Sequence, residues 1–235
     1  MSLYVIGDPH LSFSPGVDKP MDVFGEEWEG HAEKIKAAWE SLVAPEDTVI
    51  VAGDISWGLK LEEAMPDLEW IDALPGRKIM IKGNHDLWWA GIGKLNGLFD
   101  DITFLQNDSV PAEGAIVCGT RGWVCPGSDD FTEADRKIYD REVLRLGYSL
   151  ADARKKDKDA EIIAVTHYPP TNEKKQPSGF TDLFEEYGVK QAFYGHLHGK
   201  GNYKRGITGM LNGVEYRLIS ADALDFVPVK ISYTK

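Results

Sequence analysis

Five short apolar runs in this chain each lead straight into residues that can bind a metal or move a proton. Leu3–Ile6 runs into Gly7-Asp8-Pro9-His10, and Thr48–Ala52 into Gly53-Asp54. Ile79–Ile81 leads through Lys82-Gly83 to Asn84-His85-Asp86. Glu161–Val165 ends in Thr166-His167, and Gln191–Tyr194 in Gly195-His196-Leu197-His198. Of six histidines, only His31 falls away from these ends. Imidazole nitrogen with carboxylate and amide oxygen is a borderline-to-hard ligand set, suited to Mn, Fe, Zn or Ni rather than to a thiolate site. Asp8, His10, Asp54, Asn84, His167, His196 and His198 are too many ligands for one tetrahedral ion. They suit two ions that share a bridging carboxylate, about 3.5–4 Å apart, as in hydrolytic two-metal sites.

For these ends to meet, the strands must run parallel, because crossover helices then bring their carboxyl ends to one edge of a sheet. The intervening patterns supply such helices. One spans about Glu29 to Val43, with Ile35, Trp39 and Leu42 on one face. A second carries Leu61, Met65, Leu68 and Ile71, with Pro66 in its first turn or at a kink. Thr132 is the expected cap of a long helix with the stripe Tyr139, Val143, Leu146, Leu150 and Ala153. The segment 126–158 containing it is either a partial cap over the site or a peripheral helix. A short helix follows Ser178 and stops at Gly188. Further strands are expected at Ile102–Leu105 and Ala115–Gly119, separated by a turn region. The tail from Gly213 to Tyr233 alternates apolar and polar residues, the period of antiparallel half-buried strands. His31, at a helix start, reads as a packing or surface residue. Arg121, just after a strand, is positioned either to clamp a substrate phosphate or to form a structural salt bridge.

The length of 235 residues fits one domain, 1–235, without linker, repeat or low-complexity tract. A net charge of -12 with no basic stripe opposes non-specific binding to nucleic acid or an anionic membrane. It leaves room for a small phosphorylated substrate, since metal ions supply positive charge locally. The two cysteines, Cys118 and Cys125, are expected to be reduced structural thiols. The chain shows no charged leader and no apolar run long enough to span a membrane, so a cytoplasmic location is expected.

The spaced blocks Asp-x-His, Gly-Asp, Gly-Asn-His-Asp, a lone His after a strand and Gly-His-x-His occur in order between residues 7 and 198. In this the sequence resembles the calcineurin-like metallophosphoesterase superfamily. The resemblance implies an α/β fold of two mixed β-sheets packed as a sandwich flanked by helices. It also implies that Asp8, His10, Asp54 and His198 hold one divalent or trivalent ion. Asp54, Asn84, His167 and His196 would hold the other, with Mn, Fe or Zn as the expected metals. The implied reaction is phosphoester hydrolysis through a metal-bridging hydroxide. His85 would protonate the leaving oxygen, a contribution of roughly 10²–10⁴ in rate. Asp86 would be a supporting acid that orients a neighbour.

Phosphoprotein phosphatases of the superfamily carry an Asp-Arg pair after the second block and an Arg before the third. Here those stretches are Ile55-Ser56-Trp57-Gly58 and Ile81-Lys82-Gly83. The missing arginines argue against a phosphoprotein substrate, and the missing acid removes the usual partner of the catalytic histidine. The pattern is closer to small bacterial phosphohydrolases, with a phosphodiester slightly ahead of a phosphomonoester. A nuclease is the nearest rival, disfavoured by the acidic charge. A non-catalytic metal-binding scaffold is a third reading, which would require lost ligands.

Overall fold

The computed structural model describes residues 1–233. It begins with β1 (Leu3–Ile6), α1 (His31–Leu42), β2 (Thr48–Val51), α2 (Leu61–Asp72) and β3 (Arg77–Met80). A one-turn α3 (Ile92–Leu95) precedes β4 (Ile102–Phe104), β5 (Ser109–Ala112) and β6 (Ala115–Thr120). Then come α4 (Glu133–Lys156), β7 (Glu161–Thr166), α5 (Gly179–Glu186) and β8 (Gln191–Tyr194). Strands β9 (Gly209–Leu211), β10 (Val214–Leu218) and β11 (Val229–Ile231) complete it. Two mixed sheets result, ordered β11-β1-β2-β3-β4 and β5-β6-β7-β8-β10-β9. Among the described residues, only β11, β5 and β9 pair antiparallel.

Strand pleating sorts alternate residues into different layers. Leu3, Val5, Ile50 and Ile79 face Val117, Ile163 and Val165 between the sheets. Tyr4, Ile6, Val49 and Val51 pack outward on Ile35 and Trp39 of α1 and Leu68 of α2. Ile116, Ile162 and Ala164 pack on Leu146 and Leu150 of α4 and Phe180 and Phe184 of α5. The order is helix, sheet, sheet, helix. Strands buried on both faces explain why the parallel core reads as unbroken apolar runs.

Two expectations are corrected, and two open alternatives are decided. The α4 stripe packs on the outer face of the second sheet, so of the two readings Glu133–Lys156 takes that of a peripheral helix. The turn region before Ala115 contains β5, a hairpin partner of β6. The tail is only partly antiparallel: β10 runs parallel to β8, with Glu215 opposite Gln191 and Leu218 opposite Tyr194. Alternation in Val214–Arg217 reports burial of one face, which is the same for either strand direction. Pro66 lies inside α2 rather than in its first turn.

We propose that the two sheets form one folding unit, since the middle layer belongs to both. Six of seven tryptophans lie between residues 28 and 89, so their fluorescence follows the first sheet and its helices. Denaturation followed by fluorescence and by far-ultraviolet circular dichroism should coincide. Separate transitions would mean two units.

Burial pushes the Cys118 and Cys125 thiols and the Tyr168 hydroxyl up to about 12, and raises Tyr194 and Tyr216 as well. Each group holds its proton more tightly when folded, so the unfolded chain ionises first as the pH rises. These groups contribute no pH dependence below about pH 8, and above it their share of the stability is expected to fall, by on the order of 5 kcal/mol at pH 11. Denaturant midpoints at pH 7, 9 and 11 check this. An unchanged midpoint at pH 11 would refute it.

Candidate metal centre

The parallel ladder between β1 and β2 continues past their ends. Asp8 N donates to Gly53 O (3.0 Å), His10 N to Asp54 O (3.0 Å) and Leu11 N to Ile55 O (2.9 Å). Asp8, His10, Asp54 and His196 all sit in the left-handed region, with φ of 57°, 46°, 48° and 73°. Non-glycine residues there carry a strain of about 1 kcal/mol or more each, and such strain concentrates at functional sites. The bends gather side chains at the carboxyl edge of both sheets. They also demand glycine opposite: a Cβ on Gly83 would overlap the Asp54 amide and carboxylate, and one on Gly195 the Asp8 carboxylate.

All seven sequence-derived ligand candidates meet here. Asp8, His10 and His198 offer donor atoms within 4.8 Å of one another, and so do Asp54, His167 and His196. Asn84 Oδ1 joins the second group, 2.7 Å from His167 Nε2 and 2.9 Å from His196 Nδ1. Asp54 Oδ2 lies 3.3 Å from His167 Nε2 and 3.8 Å from His10 Nε2, and so touches both groups.

The donor set fits metal ions. Around an ion with bonds of about 2.1 Å, neighbouring ligand atoms stand roughly 3.0–3.4 Å apart. The separations in the Asn84 group, 2.7–3.3 Å, are close to that range. His198 Nδ1 lies 2.9 Å from Asp222 Oδ1 and His167 Nδ1 lies 3.0 Å from Ala52 O. With hydrogens donated there, each ring turns an Nε2 lone pair into the cluster. His198 Nε2 then faces His10 Nε2 at 3.2 Å, an approach that a cation between them would relieve.

Electrostatics point the same way. Burial alone would lower the pKa of His167, but the Asp54 and Asp8 carboxylates raise it to about 9. Burial lifts Asp8 to about 6 against the pull of His198 and His167. For Asp54, burial is outweighed by His167 and His10, which hold it well below the carboxylate range. His196 falls to about 3, through burial and the neighbouring His167. The buried carboxylates call for positive charge, which the bare chain meets with a proton on His167.

His85 lies beside this cluster at the cleft mouth, its ring exposed. Its backbone N donates to Asp54 Oδ1 (2.8 Å). The ring has no carboxylate partner; it packs on Trp57, with centroids 4.4 Å apart. Trp57 also stacks on His10 at 4.8 Å, and so packs against both histidines. Desolvation by these walls lowers the pKa of His85, against the pull of Asp54.

Asp86 does not face the cleft. Its buried carboxylate accepts from the amides of Gly83 (2.7 Å), Ile55 (2.8 Å) and Ser56 (3.3 Å) and from the Trp88 indole (3.0 Å). It ties the turn after β3 to the turn after β2, and acts on Asn84 and Asp54 through the backbone. Arg121 likewise turns away from the cluster. Its guanidinium pairs with buried Glu142 of α4 (3.4 Å) and lies over Trp123, 4.4 Å from the ring centroid. The salt-bridge alternative is therefore the one adopted, and no phosphate clamp is placed at Arg121. Lys82 borders the same small cavity beside Arg121 and Glu142. His31 packs with its ring nitrogens 3.2 Å from Trp28 O and 3.3 Å from His10 O.

Sequence reasoning missed Asp222, Trp28 and Arg205. Asp222 accepts from Gly199 N (2.8 Å) and Tyr203 OH (2.9 Å) besides facing His198. The signal was present, because Val214–Leu218 leads through Ile219-Ser220-Ala221 to this acid, another strand end. Reading the tail as antiparallel hid it. Asp222→Ala is expected to weaken metal binding about 10- to 100-fold while leaving the fold intact. Metal titration of the variant checks this, and wild-type affinity would refute it. Trp28, Trp57, Met21 and Phe24 wall a cavity of about 390 Å³ that opens onto His10, His85, His196 and His198.

Among the described residues, no helix is long and apolar enough to cross a membrane. Gene 66 protein of Mycobacterium phage L5 is 45% identical over 58 residues, which cover 25% of this chain and only 28% of that protein. Among solved structures, TT1561 of Thermus thermophilus superposes with a TM-score of 0.59 at 14% identity, over 93% of this chain and 88% of that one. Phosphopantetheinyl hydrolase (PptH) from Mycobacterium tuberculosis gives 0.55 at 17% identity, over 93% and 88%. A protein of unknown function from Aquifex aeolicus gives 0.52 at 18%, over 97% and 95%. At these identities the likenesses speak for the fold, the metallophosphoesterase sandwich. The family model of the calcineurin-like phosphoesterases matches residues 1–200, which include all five strand-end blocks, and the chain belongs to that family.

Proposed function

We propose that the chain is a metal-dependent phosphohydrolase with a dinuclear centre, hydrolysing a small phosphorylated molecule, with a phosphodiester ahead of a phosphomonoester. One observation carries this reading: two donor groups joined through Asp54 lie under a cleft that also holds His85. When bound, two ions would supply an acidified water and positive charge for the phosphoryl oxygens. Asp8, His10, Asp54 and His198 would hold one, and Asp54, Asn84, His167 and His196 the other. His85 delivers the proton to the departing oxygen, and Trp57 fixes its ring in place of the acid used elsewhere in the superfamily. Asp86 holds the two turns that position Asn84 and Asp54. Cys118 and Cys125 are buried free thiols, which suits a reducing, cytoplasmic setting.

The test is metal analysis of the purified protein, followed by hydrolysis of chromogenic mono- and diesters with added Mn²⁺. Two ions per chain and turnover of a small ester are expected. Full occupancy without turnover of any ester would mean a binding scaffold. Strong preference for DNA would mean a nuclease.

A further inference from the structure

The cleft divides above the donor groups. Its aromatic branch, of about 390 Å³, contains His85. A second branch, of about 110 Å³, lies between Val124–Ser128 and Thr171–Glu173 and contains Tyr168. His196, Leu197 and Arg205 line both, so the branches meet at the metal edge, with His85 on one side and Tyr168 on the other. A tetrahedral phosphoryl group held there offers oxygens in both directions.

Most polar groups of the second branch are committed. Glu173 accepts from Ser128 Oγ (2.9 Å) and Asp129 N (3.0 Å). The Asn172 amide donates to Pro126 O (3.0 Å) and Gln176 Oε1 (2.6 Å). Arg205 pairs with Asp130 (3.3 Å). Thr171 Oγ1 has no partner, but it is sealed inside the protein, beyond the reach of a ligand. The Tyr168 hydroxyl is different. It meets no hydrogen-bond partner among the described residues and keeps surface open to the cavity, although the residue as a whole is only 7% exposed. Polar groups on side chains buried to that degree are ordinarily satisfied, so an open and unpartnered donor marks a place for a ligand's acceptor.

The ring that carries this hydroxyl is fixed from several sides. It lies against His196, with centroids 4.0 Å apart and planes 33° from parallel, and against Trp123 at 5.1 Å. Arg121 O accepts from Tyr168 N (2.9 Å) and from His167 N (3.1 Å), so the carbonyl of Arg121, rather than its guanidinium, serves the site. Thr166 Oγ1 donates to Tyr168 O (2.8 Å). Gly122, at φ 72°, leaves room for the ring, because an added Cβ there would stand 3.3 Å from Tyr168 Cβ. A donor fixed in this way needs no reorganisation when charge develops in front of it.

Resting on the phosphoesterase reading above, we infer that Tyr168 is a further catalytic residue, whose hydroxyl donates a hydrogen bond to a non-bridging phosphoryl oxygen from the side opposite His85. The hydroxyl keeps its proton throughout, and no bond forms or breaks at it. It stabilises the charge spread over the phosphoryl oxygens, while His85 serves the oxygen that leaves. The two residues therefore sense different parts of the ester. Loss of the Tyr168 hydroxyl should cost the same whichever alcohol departs.

The full chain loaded with Mn²⁺ would be assayed on phenyl and p-nitrophenyl phosphate and on their methyl diesters, as wild type and as Tyr168→Phe. The substitution keeps the ring against His196 and removes only the hydroxyl. It should lower kcat/KM about 10- to 100-fold, by the same factor for phenyl and p-nitrophenyl leaving groups, with metal content and melting temperature retained. Inorganic phosphate, titrated into the loaded protein in a calorimeter, should bind the variant about three- to tenfold more weakly. An unchanged kcat/KM, a loss confined to the phenyl esters, or loss of metal from the variant would overturn the inference. If wild type turns over no ester, the hydrolase reading fails. The phosphate titration then still decides Tyr168, with weaker binding by the variant supporting the hydrogen bond and equal or absent binding overturning it.

Discussion

Asp54→Asn should strip the protein of bound metal and lower kcat/KM by more than about 10³-fold. The asparagine keeps the size of the side chain and removes the one carboxylate that reaches both donor groups, at 3.3 Å from His167 and 3.8 Å from His10. It also leaves the proton on buried His167 without its main counter-charge. Breaking a buried ion pair from one side costs about 3–5 kcal/mol, so the metal-free variant should melt earlier than metal-free wild type. Metal content by mass spectrometry, activity with excess Mn²⁺ and a melting curve together check this. Two ions retained at normal activity would remove Asp54 from its assigned place.

His85→Ala should do the opposite to the same readouts. The ring is exposed and packs mainly on Trp57 and His10, so its loss leaves the donor groups and the fold alone. Both ions should stay, while kcat falls about 10²–10⁴-fold. The loss should shrink for esters with good leaving groups, because those need little help from an acid. A uniform loss across leaving groups, or loss of metal, would assign His85 a different job.

Much of this centre was legible from residue order alone, for a physical reason. A parallel strand buried on both faces reads as an apolar run, and its last residue announces where the polar edge begins. Asp8, Asp54, Asn84, His167 and His196 each followed such a run, so their meeting could be anticipated. Side-chain direction was not legible. Arg121 follows β6 as closely as His167 follows β7, yet it turns to Glu142, a residue 21 positions later on a helix whose apolar stripe was legible but whose docking beside β6 was not. Asp86 carries the charge of a catalytic acid, but backbone amides from two separate turns absorb it. Asp222 was missed because alternation reveals one-sided burial and is silent on strand direction. The aromatic wall at Met21–Trp28 belongs to short irregular turns in a loop without periodicity.

The parallel course of β10 also bears on when the site can exist. Asp8 accepts from the His196 amide across 188 residues, and Asp222, which orients His198, lies further still along the chain. During synthesis at about 5–20 residues per second, Asp8, His10 and Asp54 leave the ribosome roughly 10–30 s before His196 and His198. The early strands can pair, but their carboxylates then sit together with neither His198 nor His167 to balance them. The first strands therefore emerge with unpaired acid at their ends, and the second sheet's arrival both buries and neutralises it. Metal ions available to the nascent chain would be held only loosely until β10 docks, which makes capture of the right ion a late event in the protein's formation.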